Sequence, residues 1–346
     1  MSPAVSKPPA LCNSSRSRGR SGQSEPRAGL VVRYGACRVN GASSEPLVVV
    51  VVLNWNGAGM TIDCVRSIQT SRWTQQRVVV VDNGSTDGSA DLIAENCPGV
   101  ELLVNERNLG FAGGNNVGIH RAMETGADYI LILNNDTLID PDTVGELVAE
   151  AERRPEAGAV SPLIFFADPS DQLWFAGADF NPARGYAGRM LGYGERDTGR
   201  FAEVAKTDRL TGAAMLVSRR AVERTGVFDD ELFFLYEDVD WSLRMREAGF
   251  LLYVVPAARV WHRVAATQGS EHSPLSIYYG TRNQLVVSRR HAPLSRGASL
   301  RRAFVASAVN LARLRHASHR LLGLRAFLQG LADGLTGRLG PWRQSA

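Results

Sequence analysis

The run Leu47-Val-Val-Val-Val-Val-Leu53 constrains this chain more than any other feature. Five consecutive valines favour an extended backbone, and the absence of a polar alternation leaves no side for water. Such a strand must be covered on both faces. It stops at Asn54, far short of the ~20 apolar residues that a membrane span needs. Similar runs at 78–81 and 129–133 end at Asp82 and at Asn134-Asn135-Asp136, with a shorter strand predicted at 100–104. Between them, residues 60–70 carry Met60, Cys64, Val65 and Ile68 at helical spacing, and 88–96 and 110–123 also read as helices. Strands alternating with helices predict an α/β fold whose sheet is mostly parallel, with right-handed crossovers. In such a sheet ligands bind beyond the carboxyl ends of the strands, where Asn54, Asp82 and Asn134-Asn135-Asp136 all fall.

Further along, Asp140 and Pro141 predict the cap and first residue of a helix reaching about Arg154. Residues 160–235 are less regular. Glu237-Asp238-Val-Asp240 opens a helix closing at Gly249, a strand at 251–255 leads to Val260-Trp261-His262, and the chain reads helical from Pro274.

Charge divides the 346 residues into three parts. Residues 1–45 hold seven basic groups against two acidic, and their Ser, Arg, Gly and Pro content predicts a disordered basic tail. Residues 289–346 hold eleven arginines against one acid, so with a total of +4 the part between is acidic. An acidic body between basic ends is not the pattern of a nucleic-acid-binding domain, and basic ends suit an anionic membrane surface. In the C-terminal part Leu300, Phe304, Leu311 and Leu314 share one helical side, with Arg301, Arg302 and Arg313 largely opposite, the pattern of an interfacial helix. Beyond Leu321 the stripe blurs, as expected of a segment packed on protein. The N-terminal residues lack the apolar segment of a secretory signal, which predicts a cytoplasmic protein, peripheral on the inner face of the plasma membrane. Cys12, Cys37, Cys64 and Cys97 lack metal-binding spacing and read as reduced thiols.

Several residues carry candidate chemistry, each with a plainer alternative. Asp136, just past a buried strand, suits a divalent cation or a turn. Asp82 suits a ribose or base, or simply the turn that Asp-Asn-Gly favours. Gly110, Gly113, Gly114 and Gly118 lack the lysine of a phosphate loop, so close helix packing accounts for them; Asn115 among them is placed to face a ligand. Glu237 and Asp240 read as helix-start carboxylates, whereas Asp238 follows the apolar Phe233-Phe234-Leu235-Tyr236 and suits a general base. His262, at a strand end on the ligand side, is either structural or a metal ligand.

Taken in order, the motifs Val51-Val-Leu-Asn-Trp-Asn-Gly57, Val80-Val-Asp-Asn-Gly-Ser-Thr-Asp-Gly88, Asn108-Leu-Gly-Phe-Ala-Gly-Gly-Asn-Asn-Val-Gly118, Leu133-Asn-Asn-Asp-Thr137, Thr211-Gly-Ala-Ala-Met215 and 228–240 resemble glycosyltransferase family 2. The likeness is greatest to its rhamnosyltransferase-like branch. It implies the GT-A fold, a Rossmann-like sheet flanked by helices, over residues 46–290, with a basic helical extension over 291–346. It also implies inverting transfer from a nucleotide-sugar donor, dTDP-L-rhamnose or a UDP-sugar, to a saccharide or polyprenyl-diphosphate-linked acceptor. Leu53, Asn54, Asp82, Asn115, Asn134, Asn135, Asp136 and Glu237 would then bind the nucleotide sugar. Asp136 and His262 would hold Mg²⁺ or Mn²⁺, and Asp238 would be the base. Asn134 stands where the family's Asp-X-Asp motif has its first Asp. A nucleotidyltransferase, or a silent sugar-nucleotide-binding scaffold, are the alternatives; the first gives no reason for Glu237-Asp238, and the second would tolerate loss of Asp238.

Overall fold

The structure is a computed structural model describing residues 32–34, 45–180, 188–264, 273–291 and 320–343. Its centre is an 11-stranded sheet. Strands β1 (Val32–Tyr34), β2 (Val48–Asn54), β3 (Gln76–Asp82), β4 (Glu101–Val104), β5 (Tyr129–Asn134) and β6 (Thr137–Ile139) come from the first half of the chain. The second half supplies β7 (Ala157–Phe166), β8 (Leu173–Phe175), the short pair β9 (Ala178–Asp179) and β10 (Arg189–Met190), then β11 (Ala205–Lys206), β12 (Ala214–Ser218) and β13 (Leu251–His262). The sheet order is β1-β4-β3-β2-β5-β12-β7-β13-β11, with β6 on β13 and β8 on β7, while β9 and β10 pair apart. Strands β2 to β5 are mutually parallel; β12 lies antiparallel between β5 and β7, and β13 runs parallel to β7.

Helices α1 (Ala58–Gln69), α2 (Ser89–Asn96), α3 (Gly110–Glu124), α4 (Thr143–Arg153), α5 (Arg219–Thr225) and α6 (Glu237–Glu247) cover both faces. The valine run explains why two layers are needed. Val48, Val50 and Val52 enter one core with Cys64, Val65 and Ile68 of α1 and Leu147 of α4. Val49 and Val51 enter the other with Ile119 of α3, Ala221 of α5 and Trp241 of α6. All five valines are fully buried, each worth roughly 1.5–3 kcal/mol. Gly114 and Gly118 do serve close packing: a Cβ on Gly118 would lie 2.3 Å from Val51, and one on Gly114 would lie 2.5 Å from Leu53.

Three local expectations are corrected. The fourth helix starts at Thr143, with Asp142 at the cap position but making no side-chain cap bond, and the Asp140 carboxylate accepts from the Asp142 amide in the turn before it. Residues 251–262 form one strand, whose register shift across 256–258 absorbs the proline. Val32–Tyr34, within the segment expected to be disordered, pairs antiparallel with β4.

Helix α7 (Pro274–His291) and helix α8 (Arg320–Thr336) pack together, α8 inward through Gly323, Ala326, Phe327, Gly330 and Gly334. A Cβ on Gly330 would stand 2.6 Å from the Tyr278 carbonyl, so only glycine allows this approach. Leu321, Leu324, Leu328 and Leu335 remain exposed on α8. The amphipathic stripe expected at 300–314 lies outside the described residues, as do Cys12 and Cys37. Cys64 and Cys97 are free and buried, and burial pushes the Cys64 thiol up to about 12.

Candidate active site

Register builds the first part of the site. Asn54 ends β2 directly opposite Asp82 at the end of β3, and Leu53 lies opposite Asn134 on β5. Asn54 donates to Asp82 at 2.7 Å and accepts from the Thr61 hydroxyl at 2.7 Å. Asn135 donates to the same hydroxyl at 3.0 Å, and the Ser85 amide donates to the second Asp82 oxygen at 2.9 Å. Asn54, Thr61, Asp82 and Asn135 are all buried, so these bonds are made largely out of contact with water. Asn83 does comparable work one residue on. Its amide donates to Asn108 and to the Gly110 carbonyl and accepts from Asn105 and from the Leu109 amide, fixing the start of α3.

A cleft of about 240 Å³ opens at the carboxyl ends of β2, β5 and β13. Of the residues singled out from the sequence, it brings together Leu53, Asn134, Asn135, Asp136, Glu237, Asp238 and His262. Asn54 and Asp82 sit behind its wall in the buried network, and Asn115 is likewise off the wall, its amide donating back to the Phe111 carbonyl. Trp55, Phe111, Trp174 and Thr211 also line the cleft. Thr211 lies in a motif visible in the sequence, but Trp174 lies in the irregular region, where neither spacing nor periodicity marks it.

Asp136 and His262 meet because β6 follows Asp136 and pairs with β13, placing Thr137 opposite His262. The His262 Nε2 is 3.1 Å from an Asp136 carboxylate oxygen, and both side chains are buried. The edge of Trp174 packs on the imidazole at 4.5 Å, leaving His262 Nδ1 with no partner among the described residues. No group of three or more His, Cys, Asp or Glu gathers as a metal site among those residues. An oxygen and a nitrogen donor side by side suit Mg²⁺ or Mn²⁺ when phosphate oxygens and water supply the other ligands.

Asp238 stands in the first turn of α6. One carboxylate oxygen accepts from the Val239 amide at 2.7 Å; the other accepts from the Gly212 amide at 3.2 Å and lies 3.7 Å from the Arg209 guanidinium. Glu237, beside it, is buried, and burial followed by the Asp238 charge pushes its carboxyl well above the ordinary range. Its Oε2 has no partner among the described residues, and neither does Trp174 Nε1, which with His262 Nδ1 makes three such atoms on residues that line the cleft. Buried polar atoms are nearly always paired, so these three mark a place where a polar ligand completes the bonding. Asp240 is different. It is buried against Arg244 and His291, joins α6 to α7 and lines no part of the cleft.

The backbone leading into Asp238 is strained. Phe233, Leu235 and Tyr236 have φ of 65°, 65° and 74°, left-handed values that cost non-glycine residues about 1–3 kcal/mol each. Phe234 and Leu235 form part of the cleft wall.

The family model for glycosyl transferase family 2 matches residues 48–225. The chain belongs to that family, has its GT-A fold and is a glycosyltransferase. It is 29% identical over 233 residues to an N-acetylglucosaminyl-diphospho-decaprenol L-rhamnosyltransferase of Mycobacterium tuberculosis, covering 62% of this chain and 75% of that one. To the dTDP-rhamnosyl transferase RfbF of Shigella flexneri it is 27% identical over 225 residues, 63% of this chain and 72% of the relative. Among solved structures, a mannosyltransferase of Pyrobaculum calidifontis in complex with GDP-Man and Mn²⁺ superposes with a TM-score of 0.54 at 16% identity, over 86% of this chain and 89% of that one.

Proposed function

We propose that this glycosyltransferase moves L-rhamnose from dTDP-L-rhamnose, with inversion, to a hydroxyl of a polyprenyl-diphosphate-linked saccharide. The observation that carries this reading is one cleft at the strand ends that joins the Asp136–His262 pair to the Asp238 carboxylate. The two rhamnosyltransferase relatives supply the choice of donor sugar, and the first supplies the acceptor class.

Inverting transfer is a single in-line displacement at the anomeric carbon, so one base is enough. Asp238 accepts the acceptor's hydroxyl proton as that oxygen attacks and the nucleoside diphosphate departs. The amides of Gly212 and Val239 occupy one lone pair on each Asp238 oxygen, which orients the carboxylate before substrate arrives. A divalent cation held by Asp136 and His262 would offset the charge that builds on the diphosphate. Burial, and then the Asp238 charge, push the Glu237 carboxyl well above its ordinary range, and in its protonated form it would offer a hydrogen-bond donor to a sugar or acceptor oxygen without adding a second negative charge beside the base. The Asn54–Asp82 network holds the two loops against which the nucleoside would lie.

Among the described residues no helix is long and apolar enough to cross a membrane. The C-terminal arginines and the exposed leucines of α8 support peripheral contact with an anionic leaflet, where such an acceptor would be met. The test is a thermal-shift screen of dTDP-, UDP- and GDP-sugars with and without Mn²⁺, followed by transfer to a polyprenyl-diphosphate-linked N-acetylglucosamine. Metal-dependent stabilisation by dTDP-L-rhamnose and a rhamnosylated product are expected. Stabilisation by another donor alone would overturn the choice of sugar, and conversion of the donor with added pyrophosphate to dTTP and sugar phosphate in place of transfer would overturn the reaction.

A further inference from the structure

Two fully buried polar residues on α7, Arg282 and Asn283, spend their donors on the strained segment that leads to Asp238. The left-handed residues at 233, 235 and 236 stand in a stretch where the carbonyls of Leu232, Phe234 and Leu235 face α7. The Asn283 amide nitrogen meets the carbonyls of Leu232, Phe234 and Leu235 at 2.9, 2.9 and 2.7 Å. Arg282 Nη2 meets those of Glu231 and Leu232 at 3.2 and 2.8 Å. Arg282 Nε also donates to Asn283 Oδ1 at 2.7 Å, which leaves the amide only one way round, nitrogen toward the loop. Its remaining nitrogen donates to the Gly340 carbonyl beyond α8, and the Gly340 amide donates to Glu231 at 2.9 Å.

Aromatic packing closes the same contact. Phe233 stacks on Tyr279 at 5.4 Å, and Phe234 packs edge-on against that ring at 6.1 Å. From the other side the Ala112 amide donates to the Phe233 carbonyl, and Gly110 comes so close that a Cβ there would lie 2.4 Å from that oxygen. A buried asparagine that merely filled space between helices would direct its donors at α8, yet those of Asn283 go to the loop alone.

We propose that Arg282 and Asn283 are positioning residues for transfer. They supply the donors that make the left-handed path of 233–236 the stable one, and so set the Phe234–Leu235 wall and the direction from which Asp238 meets the acceptor. The α7–α8 pair is then part of the catalytic unit, beyond any part it plays in reaching a membrane. The inference rests on the reading of Asp238 as the base. It predicts a division of effects, because the Asn54–Asp82 network makes none of its bonds to α7.

The test uses the full chain with Asn283→Ala and Arg282→Lys, measuring Mn²⁺-dependent dTDP binding by calorimetry, kcat for rhamnosyl transfer, and backbone hydrogen exchange. For Asn283→Ala, kcat should fall by about 100-fold, the loss expected when a catalytic group moves by an ångström. Its dTDP affinity should hold within about twofold, since misorientation acts on the transition state and leaves ground-state binding alone. Exchange at 233–239 should quicken while that of β2 and β3 stays slow. Arg282→Lys, which keeps the charge and loses the fork, should fall between this variant and the wild type. A kcat kept at the wild-type value would overturn the proposal, as would dTDP binding and β2–β3 protection lost together with it. If the wild-type chain transfers no sugar, the proposed function fails, and exchange at 233–239 still decides the clamp: unchanged rates in Asn283→Ala overturn it.

Discussion

The two walls of the cleft are built on opposite terms. On the side of β2, β3 and α1, the polar groups satisfy one another: Asn54, Asp82, Thr61 and Asn135 form a buried network. On the side of α6 and β13, polar atoms of Glu237, His262 and Trp174 are buried without partners among the described residues, and the backbone before Asp238 is left-handed at three non-glycine positions. The first wall is finished before a ligand arrives; the second is completed by one. Substitutions in the first should therefore be felt in stability, and substitutions in the second in turnover.

The most severe test of that contrast is Asp238→Asn. The amide keeps the shape but cannot take a proton, so transfer should fall by about 10²–10⁴-fold while dTDP binding stays unchanged. Turnover near the wild-type rate would remove Asp238 as base. Asp136→Ala should come next. Mn²⁺-dependent binding of the nucleoside diphosphate should weaken by roughly tenfold or more in calorimetry, with little change in metal-free binding. An unaltered Mn²⁺ dependence would take the metal role from the Asp136–His262 pair. Thr61→Val tests the opposite wall. It deprives Asn54 of a donor and Asn135 of an acceptor inside a buried site, a loss of about 1–3 kcal/mol. The melting temperature should drop by a few degrees, with kcat of the folded enzyme changed far less than in Asp238→Asn. A loss of kcat without a loss of stability would erase the distinction between the walls.

The same contrast explains what could be read in the sequence. The strands of the first wall are announced by composition, since a run of five valines has few alternatives to a doubly covered strand, and the polar residues ending each run fall at one edge of a parallel sheet. Asp136 and His262 could be placed on the ligand side for this reason, whereas Asp238 is singled out by the apolar residues before it and Glu237 by the resemblance alone. What could not be read is whether a residue lies on the wall or behind it. Asn54 and Asp82 take each other as partners across β2 and β3, a matter of register that neither run contains. Asn115 folds its amide back onto its own helix. Trp174 reaches His262 from a three-residue strand, too short to carry a period. Arg282 and Asn283 carry no signal in the sequence, since polar residues within a helix suit a solvent-facing side, whereas here the partner is a loop some fifty residues earlier.

The smallest expected effect discriminates most finely, because it changes one proton. Burial, and then the Asp238 charge, hold the Glu237 carboxyl well above its ordinary range. The folded protein therefore keeps this proton to a higher pH than the unfolded chain does. Stability must fall as pH rises from the unfolded-chain value toward the raised one, since the unfolded state gains by ionising and the folded state does not. Glu237→Gln has no proton to lose. Its melting temperature should lie within a degree or two of the wild type near pH 5 and rise above it by a few degrees near pH 8, with a gap that widens with pH. The opposite slope, wild type gaining on the variant as pH rises, would mean that Glu237 is ionised and held by a cationic partner. In that case it could not serve as the neutral donor on the unfinished wall.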